Sequence, residues 1–335
     1  MSEIRAIVHI ATPGDGRPGH LRAVGRPAPT AGPGEAVVEV HAALLTPGSP
    51  PPREDGSVVG ADGAGVVTQV GPGVVGLAVG DAVALPALLT CRACAACRAG
   101  RANLCPSRRR PGRDVDGWVA ERVVVRADQL VSTAATVPPP LAASVPGIVA
   151  PAFNALKRAG VGPGVSVAVV GADALGLHLT QLAALAGGEV TTLDDRHEAR
   201  ERAADLGADR TLPLDGRSLP EVLDEPVDRL LVRGEVPASA LEALAPGGRL
   251  VIVAVGDQRG EVSLPTDLLV RHELDVVGAD GATPQDVVEL FDLAAEGRLV
   301  LHTAVGSTYP VADLVAAETA LTGTDAGLPI VLDPR

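Results

Sequence analysis

Along the first third of the chain, short valine-rich runs at residues 4–10, 36–41, 64–70 and 121–125 are separated by Gly/Pro turns such as APTAGPGE and VGPGVVGLAVGD. Runs of this length, bounded by turn residues, predict strands, and their spacing predicts a β-barrel or β-sandwich. The texture changes at about residue 143. From there VSVAVVG, LGLHLTQLAALAG, EVTTLD and RHEARERAADLG alternate strand-length with helix-length segments. That alternation predicts a parallel sheet wound with helices, an α/β arrangement. Pro138-Pro139-Pro140 marks the change, and the wound part continues through RLLV, GGRLVIVAVG and LDVVGAD to about residue 283. A last segment, TPQDVVELFDLAAEG to LPIVLDP, carries one helical pattern and further short strands. Internal repeats are not visible.

Composition sharpens this outline. A chain of 335 residues is long enough for two domains, each with its own core. Apolar residues make up 46% but aromatics only 1%, so the cores must be built from Ala, Val, Leu and Ile. Trp118, Tyr309, Phe153 and Phe291 are the only rings of that kind. A formal charge of −13 argues against a nucleic-acid or anionic-membrane partner, since phosphates need a positive field. The one basic cluster, Arg108-Arg109-Arg110 with Arg113, reads as a solvated loop. The N-terminus lacks a cationic start followed by an apolar core, and no apolar run reaches the length of a membrane span. The expectation is a soluble cytoplasmic protein acting on a small-molecule substrate.

Two motifs carry chemistry. Cys91, Cys94, Cys97 and Cys105 are spaced C-x2-C-x2-C-x7-C, which lets four thiolates converge on one tetrahedral ion. A closed thiolate set points to one structural zinc per chain. Two disulfides are an alternative that fits poorly with an intracellular chain, and an iron–sulfur cluster is one whose usual spacings differ. The second motif is Gly171-Ala172-Asp173-Ala174-Leu175-Gly176, between a strand pattern and a helix pattern. In the dinucleotide fingerprint the first glycine makes the turn, the second lets backbone approach the pyrophosphate and the third permits helix–strand packing. Gly171 and Gly176 meet the first and third demands. Asp173 replaces the second and brings a negative charge, worth roughly 4 kcal/mol of repulsion at about 4 Å and an effective dielectric near 20, unless it turns aside to cap the helix. Asp194 ends the next strand, 23 residues after Gly171, where an acid binds the adenosine ribose hydroxyls. This register favours NAD over NADP, with Arg196 nearby able to weaken the preference.

The cysteine lobe, preceded by GVVTQVGPGVVGLAVGDAVAL and followed by DGWVAERVVV, resembles the zinc-containing medium-chain dehydrogenase/reductase superfamily. The GADALG turn and GGRLVIVAVG extend the resemblance over essentially the whole chain. It implies a GroES-like β-barrel catalytic domain, 1–142 with 284–335, carrying the zinc lobe 91–105, and an inserted Rossmann domain, 143–283, with a doubly wound parallel sheet. It also implies an NAD(H) or NADP(H) cofactor and a homodimer paired through Rossmann edge strands, with LDVVGAD as the edge. Family members often carry a basic residue near the C-terminus that reaches the phosphates; AGLPIVLDP has none.

Zinc-dependent relatives hold a catalytic zinc through Cys, a His followed by Glu, and a later Cys or Asp. The resemblance aligns these positions with Thr46, Ala61-Asp62 and the neighbourhood of Gly147, so a catalytic zinc is expected to be absent. What remains resembles the zinc-independent quinone and enone reductases, although the retained cysteine lobe departs from most of them. Candidate catalytic groups are Thr46 as hydroxyl donor, Asp62 as carboxylate and His41, at a strand end, as proton shuttle. Asp62 could instead cap or pair with an arginine, His41 could be a hydrogen-bonded structural histidine, and Trp118 reads as core. The expected function is NAD(P)-dependent reduction of an enone, quinone or related conjugated carbonyl. A non-redox biosynthetic enzyme with vestigial cofactor binding and an inactive binding protein are the alternatives.

Overall fold

A computed structural model describes residues 3–10, 20–47, 49, 52–134, 136–254, 264–322 and 328–335. The chain divides into two compact units, Met1–Gly147 with Ala282–Arg335, and Ile148–Gly281. The texture change at residue 143 falls inside a helical run, and the units part a few residues later.

The first unit is mostly sheet. Its strands are β1 (Glu3–Ile10), β2 (His20–Pro27), β3 (Glu35–Leu45), β4 (Asp62–Val70), β5 (Ala82–Leu85), β6 (Arg122–Arg126) and β7 (Val131–Ser132). The short helix α1 (Ala95–Arg98) lies in the cysteine lobe, and α2 (Pro139–Ser144) follows β7. β3 is the centre of a seven-stranded sheet, because it pairs antiparallel with β4 and with β6. Most of β3 is therefore buried, and it runs on to Leu45 through Ala42, Ala43 and Leu44, where the apolar run has no alternation to mark it as half-exposed strand. His41 accordingly lies within the strand, not at its end. It is the extra residue of a bulge between the pairs Val40↔Gly65 and Ala42↔Ala64. Aliphatic residues such as Ile7, Val38, Val67, Leu85 and Leu332 fill this core, with Trp118 as the buried ring. The indole of Trp118 donates from Nε1 to the Pro86 carbonyl at 3.2 Å, which satisfies its one polar atom.

After α2 comes a π-helical turn, Val145–Val149, and then α3 (Ala150–Ala159). Pro146 has no N–H to give the α-helical ladder, which favours a widened turn at this point. The second unit begins here. It contains β8 (Ser166–Val170), α4 (Ala174–Leu185), β9 (Glu189–Leu193), α5 (His197–Asp205), β10 (Arg210–Leu212), α6 (Leu219–Leu223), β11 (Val227–Arg233), β12 (Leu244–Ala254), α7 (Thr266–Arg271) and β13 (Asp275–Asp280). All six strands are parallel, in the order β10-β9-β8-β11-β12-β13. This is a doubly wound Rossmann sheet whose order reverses between β8 and β11, the switch point at which such sheets bind ligands. β13, the strand of LDVVGAD, is at one edge. α4 is buried nearly all round, as its apolar sequence LGLHLTQLAAL requires.

The chain then returns to the first unit with α8 (Pro284–Ala295), β14 (Thr308–Pro310), α9 (Leu314–Thr322) and β15 (Ile330–Asp333). β15 pairs antiparallel with β3 and parallel with β14, so both ends of the sequence contribute to one sheet. Among the described residues, no helix is long and apolar enough to cross a membrane.

Candidate functional site

The four cysteines form one cluster, with sulfur atoms all within 4.8 Å of one another. Cys91 Sγ lies 3.5 Å from Cys105 Sγ and 4.0 Å from Cys97 Sγ. A tetrahedral ion with Zn–S bonds of about 2.3 Å sets its sulfurs roughly 3.8 Å apart, whereas a disulfide needs about 2.05 Å. The cluster therefore fits one structural zinc and contains no disulfide. The lobe's backbone also favours thiolates. Cys94 N–H donates to Cys91 Sγ at 3.3 Å and Cys97 N–H to Cys94 Sγ at 3.5 Å. Backbone hydrogen bonds from Ala93 and Cys94 hold the Cys91 thiol down at about 6, while desolvation pushes Cys97 up to about 11. Among the described residues this is the one group of three or more His, Cys, Asp or Glu able to hold a metal.

The second set of residues centres on Asp62, the first residue of β4. Its side chain is 5% exposed, and Oδ1 has no hydrogen-bond partner. Burial pushes its pKa up to about 7. No arginine pairs with it among the described residues. Gly147, in the π-helical turn, presses against the carboxylate so closely that a Cβ there would overlap it. The β3–β4 register places Leu44 opposite Asp62, with Thr46 two residues further along the chain. The structure thus brings Asp62 and Gly147 into contact within the first unit, with Thr46 two residues beyond the position opposite Asp62. His41 is not part of this group. Its Nε2 sits 3.1 Å from Glu39 Oε1 at the bulge.

The third set is the turn after β8. Gly171 has φ of +93°, and a Cβ on Gly176 would collide with the Gly171 carbonyl, so both positions need glycine. Asp173 caps α4, its Oδ1 accepting from Gly176 N–H at 3.0 Å. Its other oxygen pairs with the Arg233 guanidinium. Arg233 is 60 residues away, and nothing in the sequence distinguishes it from an ordinary charged strand end.

Asp194 follows β9 and is fully engaged. Oδ2 accepts from Ala172 N–H and Arg196 Nη2, each at 2.7 Å. Oδ1 accepts from Arg196 N–H and Nε, each at 2.9 Å. Burial alone would raise its pKa, but the hydrogen bonds from Arg196 and Ala172 outweigh it and hold the carboxyl below its ordinary value. The C-terminal position expected to carry a basic residue involves Ala326 and Gly327, which lie outside the described residues.

Comparison with known proteins agrees with this architecture. The alcohol dehydrogenase GroES-like domain matches residues 32–135, and the zinc-binding dehydrogenase domain matches residues 174–296. An alcohol dehydrogenase from Geobacillus stearothermophilus is 30% identical over 249 residues, covering 72% of this chain and 73% of that protein. The structure of a cobalt- and zinc-bound thermostable alcohol dehydrogenase from Pyrobaculum aerophilum superposes with a TM-score of 0.85 at 30% identity, covering 99% of this chain and 100% of that one. A protein from Sinorhizobium meliloti assigned as a zinc-binding dehydrogenase, with NADP bound, superposes with a TM-score of 0.84 at 25% identity, covering 100% of both chains. The chain belongs to the zinc-containing, alcohol dehydrogenase-like medium-chain dehydrogenase/reductase superfamily of oxidoreductases.

Proposed function

We propose that the protein reduces a conjugated carbonyl, an enone or quinone, with NADPH or NADH and without a catalytic zinc. The observation that carries this reading is the donor set around Asp62. By the family resemblance, Thr46, Ala61 and Gly147 fall at the positions from which zinc-dependent members would bind their metal. Ala61 and Gly147 have no ligand atom, and Thr46 has only a neutral hydroxyl. The residues present do not fit a catalytic zinc, so the polarisation it would supply to a carbonyl must come from hydrogen bonds. The bound nicotinamide would supply hydride to the conjugated carbon. Asp62, buried and holding its proton to about pH 7, is suited to give that proton to the enolate that results. Thr46 offers a second hydroxyl donor for the oxygen.

The cofactor lies, in this proposal, on the Gly171–Gly176 turn with its adenosine ribose at Asp194. All four acceptor positions of that carboxylate are taken, so a ribose diol must displace Arg196 to bind there. A 2′-phosphate would instead find the Arg196 guanidinium already fixed beside it. On this ground NADPH is favoured over NADH. Pairing of two copies through β13, the sheet's edge strand, belongs to the same proposal.

The test is turnover by the zinc-loaded protein. NADPH consumption is expected with 2-cyclohexenone or a benzoquinone, with oxidation of a simple secondary alcohol at least about 100-fold slower. Alcohol oxidation at a comparable rate that responds to a second bound zinc would overturn the reading. Arg196→Ala is expected to weaken NADPH binding about 10-fold or more while leaving or improving that of NADH. Unchanged preference, measured by titration with both dinucleotides, would remove Arg196 from this role.

A further inference from the structure

Arg233 ends β11 directly beside the nucleotide turn. The register pairs Val232 with Val170, so Arg233 and Gly171 leave neighbouring strands side by side at the switch point of the sheet. The Arg233 side chain is only 26% exposed, and its Nε is buried with no hydrogen-bond partner. Asp173, 13% exposed, spends one oxygen on capping α4 and the other on this guanidinium. Two departures from the usual dinucleotide site are therefore complementary. An aspartate where backbone should approach phosphate adds a negative charge, and an arginine from the adjacent strand cancels it and leaves guanidinium donors unused.

We propose that Arg233 is a ligand for the pyrophosphate of the bound dinucleotide, and that Asp173 is the residue that positions it. The inference rests on the nucleotide reading above. An arginine has five donors in a fixed planar fork, so one guanidinium can keep its bond to Asp173 Oδ2 while another edge donates to a phosphoryl oxygen. In this arrangement Asp173 no longer repels the phosphates. It aims the cation that binds them, and it does the capping work that α4 needs. The charge is supplied from β11, a position that lies 60 residues from the fingerprint and that no reading of the GADALG turn alone could reveal.

The experiment is titration of the full-length, zinc-loaded protein with NADPH and NADH, with melting temperatures measured on the same samples. Arg233→Met is expected to weaken both dinucleotides about 10- to 100-fold, as expected for loss of a charge-assisted hydrogen bond. Arg233→Lys keeps the charge and should recover most of that loss. The deciding variant is the double substitution Asp173→Gly with Arg233→Met. If Arg233 binds phosphate, the double variant stays weak although the repelling carboxylate is gone. If Arg233 merely neutralises Asp173, the double variant binds as tightly as the native protein and the proposal is overturned. Should Arg233→Met fail to fold, the double variant, which leaves no carboxylate unpaired, is compared with Asp173→Gly alone. Weaker binding by the double variant than by Asp173→Gly is the expected result, and equal binding would overturn the role of Arg233. Failure of the native protein and all variants to bind either dinucleotide would remove the nucleotide reading itself. Binding that survives in the double variant would remove only the role of Arg233.

Discussion

Asp62→Asn is expected to make the protein more stable at pH 8 and slower in turnover. A free aspartate carboxyl titrates at 3.8, and burial in the folded chain holds the Asp62 proton to about 7. Between those two values the native state binds more protons than the unfolded state, so the stability contributed by this group falls as pH rises through the window and stays low above it. Asparagine has no proton to lose. The gain over the native protein should be absent below about pH 4, grow through the window, and reach up to about 4 kcal/mol above pH 7. Melting curves of both proteins across pH 4 to 9 would read this directly. Turnover with a conjugated carbonyl should fall about 10²- to 10⁴-fold in the variant, and the native rate should decline above pH 7 as the acid ionises. A variant that turns over as fast as the native protein would leave Asp62 as a destabilising residue without a chemical task.

Cys105→Ser is expected to lose the zinc and destabilise the lobe from Cys91 to Cys105. A sulfur replaced by a hydroxyl leaves three thiolates and a poor fourth ligand, and binding free energies of structural zinc in small peptides are about 10–16 kcal/mol. Only part of that holds the fold here, because both units have their own aliphatic cores. A fall in melting temperature of about 5 °C or more is still expected, together with zinc content dropping from one per chain to near none. Native protein with no tightly bound zinc, or with four thiols that react freely with a thiol reagent, would refute the structural site. Acid should release the metal as protons compete with it for the thiolates.

Much of this was legible in the sequence, for reasons that differ from element to element. α4 and the strands on either side of it could be read because their apolar runs have unmistakable lengths and glycine sits where the turn requires it. β2 could not. HLRAVGRP is mostly exposed, pairs with β1 alone among the described residues, and has no alternation that a core would impose. The continuation of β3 beyond His41 was hidden by the opposite cause, burial on both faces. The cysteine site is local in sequence, so the spacing of Cys91, Cys94, Cys97 and Cys105 discloses it. Around the nucleotide turn, the two glycines and Asp194 were readable, yet what governs them is not. The Ala172 N–H bond to Asp194 and the Arg233 bond to Asp173 join residues 22 and 60 positions apart. Only the folded sheet brings them together.

The scarcity of rings in this protein has a practical side. Trp118 is the only indole in the chain, and its Cβ would stand 3.1 Å from a Cβ placed on Gly63, the residue next to Asp62. Its fluorescence therefore comes from a single buried reporter beside the proposed reaction centre. With one tyrosine as the only other phenol or indole chromophore, the native chain needs no added label for spectroscopy at that spot.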